Sequence, residues 1–172
     1  MSIVHECQNQ KHFQNLELYF LLSDKRFLQD GVPEIVSEST HVSFYAHLSK
    51  NVAGIGVHHP IVFDTVRYND GNAYNKVDGE FTAKVPGTYF FIWTISARDR
   101  TYMETELVVN GIVFGHVIGD AAQHDDWGVA TGFVIVRLNV NDTVWIRSGP
   151  VNNGQLTGTG YGTTSFGGYL LY

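Results

Sequence analysis

The sequence holds a single cysteine, Cys7, in 172 residues. No disulfide framework and no thiolate metal site can form inside one chain. Cys7 is therefore either a bridge between two chains near their N-termini or a passive thiol. Positive charge is also scarce: 11 Lys and Arg stand against 17 Asp and Glu, a formal net charge of -6. A general nucleic-acid binder would carry a basic excess, so that class is disfavoured. Long apolar runs are missing. None approaches the ~18 residues of a membrane span, and Leu18 to Leu22 is too short for the apolar core of a secretory signal. There is no Gly-X-Y period of a collagen stalk. There is no Gly-x-Ser-x-Gly elbow, and nothing combines nucleophile, base and orienter at a recognisable spacing, so an enzyme is not expected. The Gly-rich tract GQLTGTGYGTT (154–164) lacks the Gly-Lys-Ser/Thr ending of a phosphate loop and is expected to be a long mobile loop between strands.

What is present favours strands. Aromatic residues make up 13 % and 18 residues are glycine; aromatic and β-branched residues suit pleated surfaces, and glycine supplies turns. The chain divides near Thr40. In residues 1–40, Phe13, Leu16, Phe20 and Phe27 fall on one helical face, although Leu18, Leu21 and Leu28 spoil a clean seam. Asp30-Gly31-Val32-Pro33 stops any helix. This N-terminal extension is read as a short helical stalk or a leader. Residues 41–172 show short alternating strands with turn signals every eight to twelve residues, the pattern of an all-β sandwich. Val42, Phe44, Ala46 and Leu48 share one face, and Asn110-Gly111 offers the positive φ values of a type I′ hairpin. Counted loosely there are eight to ten strands, which suits a double-sheet jelly roll.

Two of these strands are apolar on both faces. In TGFVIVRL, Val134, Val136 and Leu138 form a sound inner set, which leaves Phe133 and Ile135 facing outward. In GTYFFIWTI, Tyr89, Phe91, Trp93 and Ile95 point one way, and Phe90 and Ile92 the other. Leaving each such side chain exposed forfeits about 1.5–3 kcal/mol relative to burial. The expectation is that a neighbouring copy of the chain covers Phe90, Ile92, Phe133 and Ile135. The alternative is a cover from residues 1–40.

From about Val42 to Tyr172 the chain resembles a C1q domain, the globular head of complement component 1q and its relatives. The resemblance rests on VSFYAHLS, on Phe63, Asn69, Gly71, Tyr74, Gly79 and Phe81 in order, and on PGTYFFIWTI and LVVNG. It continues through Leu138, Asp142, Val144 and Trp145 to the closing SFGGYLL. FDTVRYNDGNAY and TELVVNG are most similar to the C1q-domain proteins of bivalve molluscs. The resemblance implies a ten-strand jelly roll akin to tumour necrosis factor, packed as a homotrimer, with ligand sites on exposed loops and at the apex. It further implies a secreted pattern-recognition protein of innate immunity, lectin-like, binding microbial glycans or lipopolysaccharide. The alternatives are a ligand for a protein receptor, of the tumour-necrosis-factor kind, and a calcium-dependent matrix or biomineral protein.

Several loop residues are candidates for contact with a ligand. Sugar recognition needs an exposed ring for the C–H face and polar groups for the hydroxyls. Trp127 beside Asp125 and Asp126 fits, as does Tyr161 between Asn152-Asn153 and Thr163-Thr164. Tyr102 with Arg98 and Arg100 offers a ring and cations for anionic sugars or phosphates. Asp120, His124, Asp125 and Asp126 crowd GDAAQHDDW; hard cations want several oxygens, so Asp120, Asp125 and Asp126 are candidate calcium ligands, with a solvated turn as the alternative. The position before Val129, acidic in some calcium-binding relatives, is Gly128. His58 and His59 read as a surface turn and His116 as a satisfied sheet residue.

Overall fold

Alternating apolar residues become two antiparallel sheets packed face to face in this computed structural model. It describes residues 41–123, 125–160 and 162–172, all within one unit, Ser39–Tyr172. The proposed stalk, Cys7, His124 and Tyr161 lie outside the described residues.

The strands are β1 (Ser43–His47), β2 (Val52–Ala53), β3 (Thr65–Asp70), β4 (Tyr74–Asn75), β5 (Glu80–Thr82) and β6 (Gly87–Ala97). They continue with β7 (Tyr102–Val109), β8 (Ile112–Asp120), β9 (Gly128–Leu138), β10 (Thr143–Asn152), β11 (Gln155–Leu156) and β12 (Ser165–Leu170). Sheet one runs β2-β11-β6-β12-β1-β3, with β9 on the free side of β6; sheet two runs β4-β5-β10-β7-β8. Three of the strands, β2, β4 and β11, are only two residues long, so the sandwich is the jelly roll expected, its rim divided into short pieces.

The core is the set of inward-facing positions. Phe44, Tyr74, Phe81, Phe91 and Phe166 form a ring cluster, with Phe44 stacked on Tyr74 at 4.8 Å and edge-on to Phe166 at 4.9 Å. Trp93 is buried and donates its indole N–H to Thr105 Oγ1 at 3.0 Å, which satisfies the one polar atom such a ring brings into a core. Tyr74 does the same, its hydroxyl donating to the Phe63 carbonyl at 3.1 Å. Burial holds the Tyr74 hydroxyl well above its ordinary range.

Glycine closes the side of the sandwich where β8 and β9, one from each sheet, lie against each other. A Cβ at Gly132 would stand 2.3 Å from a Val117 methyl and 2.8 Å from the Trp93 ring. At Gly128 it would stand 2.3 Å from the backbone of Asp120. Close approach, not a lost acidic ligand, therefore explains glycine at 128. At the hairpin between β7 and β8, Asn110 and Gly111 have φ of 49° and 84°, the two left-handed residues a type I′ turn requires.

The Gly-rich tract departs from the loose loop expected of it. Leu156, Thr157 and Thr164 are buried. The Thr157 N–H donates to the Ser96 carbonyl at 2.9 Å, and the Gly158 N–H to Asn51 Oδ1 at 3.0 Å. Small residues let this segment lie flat on the end of sheet one, where they serve packing.

Candidate functional site

Period-2 alternation places Phe90 and Ile92 of β6 on the outer face of sheet one, and the β6–β9 register sets Phe90 opposite Ile135 and Ile92 opposite Phe133. The four residues expected at a subunit interface are thus one contiguous patch. Phe133 is 66 % exposed and Ile135 59 % exposed, so no described residue covers them. The patch widens across the sheet. Phe90 stacks on Phe133 at 5.9 Å and meets Tyr169 of β12 at 5.5 Å. Tyr45 of β1 and Tyr68 of β3, also exposed, pair with each other. An open groove of about 720 Å³ lined by His41, Tyr68, Asp70, Tyr169 and Tyr172 borders its lower end.

A second apolar surface lies on β8, the edge strand of sheet two. Ile112, Phe114 and Ile118 all point outward and are exposed. These residues were not singled out from the sequence, although the alternation in IVFGHVIG carries the signal.

The loop residues expected to touch ligand meet at one end of the sandwich, because β6 delivers 98–101, β8 delivers 120–127 and β10 delivers 152–155 to the same end. The Arg100 N–H donates to the Ala121 carbonyl at 3.1 Å, and the Ala121 N–H to the Thr101 carbonyl at 2.9 Å. Tyr102 and Asn153 are joined by Asn153 N–H to the Tyr102 carbonyl at 3.2 Å. Arg98 donates to Gln155 Oε1 at 3.2 Å. Arg98, Arg100, Tyr102, Asp120 and Asp125 therefore lie at one end of the sandwich, and Asp126 and Trp127, the latter 39 % exposed, follow Asp125 in the chain. Arg100 holds a left-handed φ of 60°, an uncommon conformation for a side chain of this length.

The arrangement bears on the calcium expectation. Arg100 grips both oxygens of Asp125, Nε on Oδ1 and Nη2 on Oδ2 at 2.7 Å. That guanidinium holds the Asp125 carboxyl below the usual range. Asp120 Oδ1 accepts the Ala122 N–H at 2.9 Å. Calcium takes six to eight oxygens, and the described residues of one chain contain no His, Cys, Asp and Glu group of three or more that could hold a metal. Among the described residues of one chain, Asp120, Asp125 and Asp126 are not gathered into such a group.

The sequence reading missed a charged cluster on the outer face of sheet two. Glu106 of β7 is buried at 4 % exposure. It accepts from Arg147 Nε at 2.6 Å and lies 3.4 Å from His58 Nδ1. His116 Nδ1 stands 3.2 Å from Glu104 Oε1 and 3.9 Å from Glu106 Oε1, while Glu104 Oε2 accepts the Val151 N–H at 3.1 Å. His58 reaches the cluster because its N–H donates to the Ser148 carbonyl at 3.0 Å, which aligns its segment with β10. The alternation Glu104-Thr105-Glu106 signals two acids on one face, and only the strand pairing shows what they meet.

A two-sheet jelly roll with an apolar outer face and a loop surface at one end defines a protein of the C1q and tumour-necrosis-factor architecture. The model of the C1q domain matches residues 43–171, and the chain belongs to that family. It is 34 % identical over 115 residues to complement C1q and tumor necrosis factor-related protein 9 of Mus musculus, covering 66 % of this chain and 33 % of that protein. It is 30 % identical over 144 residues to heavy metal-binding protein HIP of Mytilus edulis, covering 82 % of this chain and 65 % of that one. The chain thus spans about a third of the mouse relative's length. Among solved structures, the globular domain of zebrafish complement 1qA aligns with a TM-score of 0.63 at 19 % identity, over 76 % of this chain and 98 % of that one. Murine APRIL at pH 5.0 aligns with 0.60 at 14 % identity, over 76 % and 99 %. At these identities the two structures support the fold alone. Neither the family nor these relatives are described as enzymes.

Proposed function

We propose that the chain is an extracellular recognition protein that assembles as a homotrimer and presents three loop surfaces to microbial glycans or lipopolysaccharide. The observation that supports this most is the exposed patch of Phe90, Ile92, Phe133, Ile135 and Tyr169. A contiguous apolar face of this kind is rarely left open on a monomer. The molecule carries two unlike apolar surfaces, this face and the β8 row of Ile112, Phe114 and Ile118. Unlike surfaces that fit each other make heterologous contacts, which close into a ring when the rotation permits. Family membership argues for three copies.

The loop surface suits anionic, hydroxyl-rich targets. Trp127 and Tyr102 offer rings, and Arg98 and Arg100 offer cations. A site of this size binds a sugar weakly. Three sites held together on a repeating surface gain about 10² or more in avidity.

Light scattering at low protein concentration, paired with a glycan array read with and without chelator, tests the proposal. Mass per particle should be three chains, and binding should fall in the Arg100→Ala variant. Monomers in solution would remove the reading. A trimer that ignores sugars and binds a protein receptor would replace it with the receptor-ligand alternative. Calcium at the loops would have to draw Asp125 away from Arg100, and the chelator arm detects any such dependence. A metal-binding role has separate support in the mussel relative's description as heavy metal-binding. Calorimetric titration with zinc addresses it directly.

A further inference from the structure

The turn joining β9 to β10 reads Asn139-Val140-Asn141-Asp142-Thr143. Asn141-Asp142-Thr143 is the single Asn-x-Ser/Thr triplet in the sequence, and its middle residue is not proline. That pattern is the acceptor for N-linked carbohydrate. The fold presents it openly. Asn141 is exposed and holds a left-handed φ of 72°, a conformation asparagine tolerates better than most residues.

Other groups hold this turn. The Asn141 backbone N–H donates to the Ala83 carbonyl at 2.8 Å, and the Ala83 N–H to the Asp142 carbonyl at 2.8 Å. The Asp142 carboxylate accepts the Asn139 N–H at 2.6 Å and the Asn110 amide at 2.9 Å. Asn110 Oδ1 accepts the Thr143 N–H at 2.9 Å. A substituent on Asn141 Nδ2 interrupts none of these bonds.

We propose that Asn141 carries an N-linked glycan, an inference that rests on the extracellular reading above. Asn141 Nδ2 would attack the anomeric carbon of a lipid-pyrophosphate-linked oligosaccharide. The N–C bond forms, the amide loses one proton, and the C–O bond to the lipid pyrophosphate breaks with its electron pair leaving on that group. The Thr143 hydroxyl is the recognition element of the triplet. The position fits the proposed loop surface. β9 pairs with β6 from Gly128–Ala97 to Leu138–Gly87, so eleven residues at ~3.3 Å each put the turn about 35 Å from the loop end. A glycan there stands at the end of the sandwich opposite the loops.

The test expresses the full chain behind a cleavable secretory signal in eukaryotic cells and reads intact mass before and after peptide N-glycosidase in ¹⁸O water. The expected result is a set of hexose and N-acetylhexosamine increments that the enzyme removes, leaving ¹⁸O-labelled Asp at 141. N141Q and T143A should lose the increments, and T143S should keep them, which separates acceptor loss from misfolding. Wild-type chain of unmodified mass, or increments persisting in both N141Q and T143A, overturns the proposal. Chain retained in the cells is analysed the same way, so failed secretion counts against the extracellular reading while the mass alone decides Asn141.

Discussion

The outer faces of the two sheets solve one problem in opposite ways. Each strand of a sandwich has an inner side for the core and an outer side for water. On sheet two the outer side of β7 carries Glu104 and Glu106, which the chain itself nearly buries and pairs with Arg147, His58 and His116. On sheet one the outer side of β6 and β9 carries Phe90, Ile92, Phe133 and Ile135, for which the described chain supplies no cover. The β7 side of one face is completed within the chain, and the β6–β9 side of the other is, in the proposed assembly, completed by a second copy. Charges that need partners are matched locally, where strand register fixes the geometry. Apolar groups need only area, which another copy can provide.

The sharpest way to break this contrast is to place charge on the apolar face. Phe133→Glu with Ile135→Glu should reduce the particle to single chains by light scattering. Each residue is exposed in the lone chain, so the thermal transition of the separated chain should persist. Binding to a repeating glycan surface should drop by about 10² or more as avidity is lost. A variant that keeps the mass of the assembly would show that this face is not the contact.

The complementary variant, Glu106→Gln, attacks the other face. It leaves the Arg147 guanidinium, itself largely buried, without its carboxylate. Removing one partner of a buried pair costs about 3 kcal/mol. Denaturant unfolding should register that loss while the assembled mass stays unchanged. Adding Arg147→Met should recover part of it, because the buried cation left without its carboxylate is removed. If Glu106→Gln dissolves the assembly with stability intact, the division of labour between the faces is wrong.

How far the sequence foretold these features follows from what periodicity can carry. Alternation in GTYFFIWTI assigned Tyr89, Phe91, Trp93 and Ile95 to the core and Phe90 and Ile92 to the outside, and the burial agrees. The hairpin at Asn110-Gly111 was legible because only certain residues accept positive φ. Partners were not legible. Glu106 and Arg147 are 41 positions apart, and period-2 patterning states a side chain's face without stating its neighbour, which register decides. The grip of Arg100 on Asp125 was hidden for the same reason: each loop was read alone, and the sheets bring the loops together. The composition of 154–164 pointed to a loose loop, but small residues also permit close packing, and here the packing prevailed.

Smaller effects probe the loop end. Arg100→Ala removes both hydrogen bonds to Asp125. Both groups are fully in solvent, so unfolding stability should change little. Affinity for anionic glycans should fall because the cation is lost and the 120–127 loop loses its tie. Arg100→Lys should recover only part of the affinity, since a point charge cannot reproduce the two-pronged contact. Unchanged affinity in both variants would move the ligand surface away from Arg100.

The smallest effect is the shape of the acid limb of stability, and it should resolve into opposing parts. Asp142 is held below the ordinary carboxylate range by the Asn139 N–H and the Asn110 amide, and Asp125 by Arg100. At Asp64, partial burial acts upward, but the Ser49 hydroxyl and N–H outweigh it and the net direction is down. A carboxyl whose folded value is depressed stabilises above its unfolded value, about 3.9 for Asp, and that contribution disappears as pH falls through the folded value. Glu80 acts oppositely: burial and the neighbouring Asp78 raise it, so its contribution favours the fold in acid and is lost as pH rises through the folded value. Stability should therefore decline below about pH 4, and Asp142→Asn should flatten that decline while lowering stability at neutral pH. Glu80→Gln should instead raise stability slightly at neutral pH and leave the acid limb steeper. Thermal melts from pH 3 to 7 on the two variants would separate the terms. A decline that Asp142→Asn leaves untouched would assign the acid sensitivity to Asp64, to Asp125 or to the assembly, the last of which can be read as a fall in particle mass.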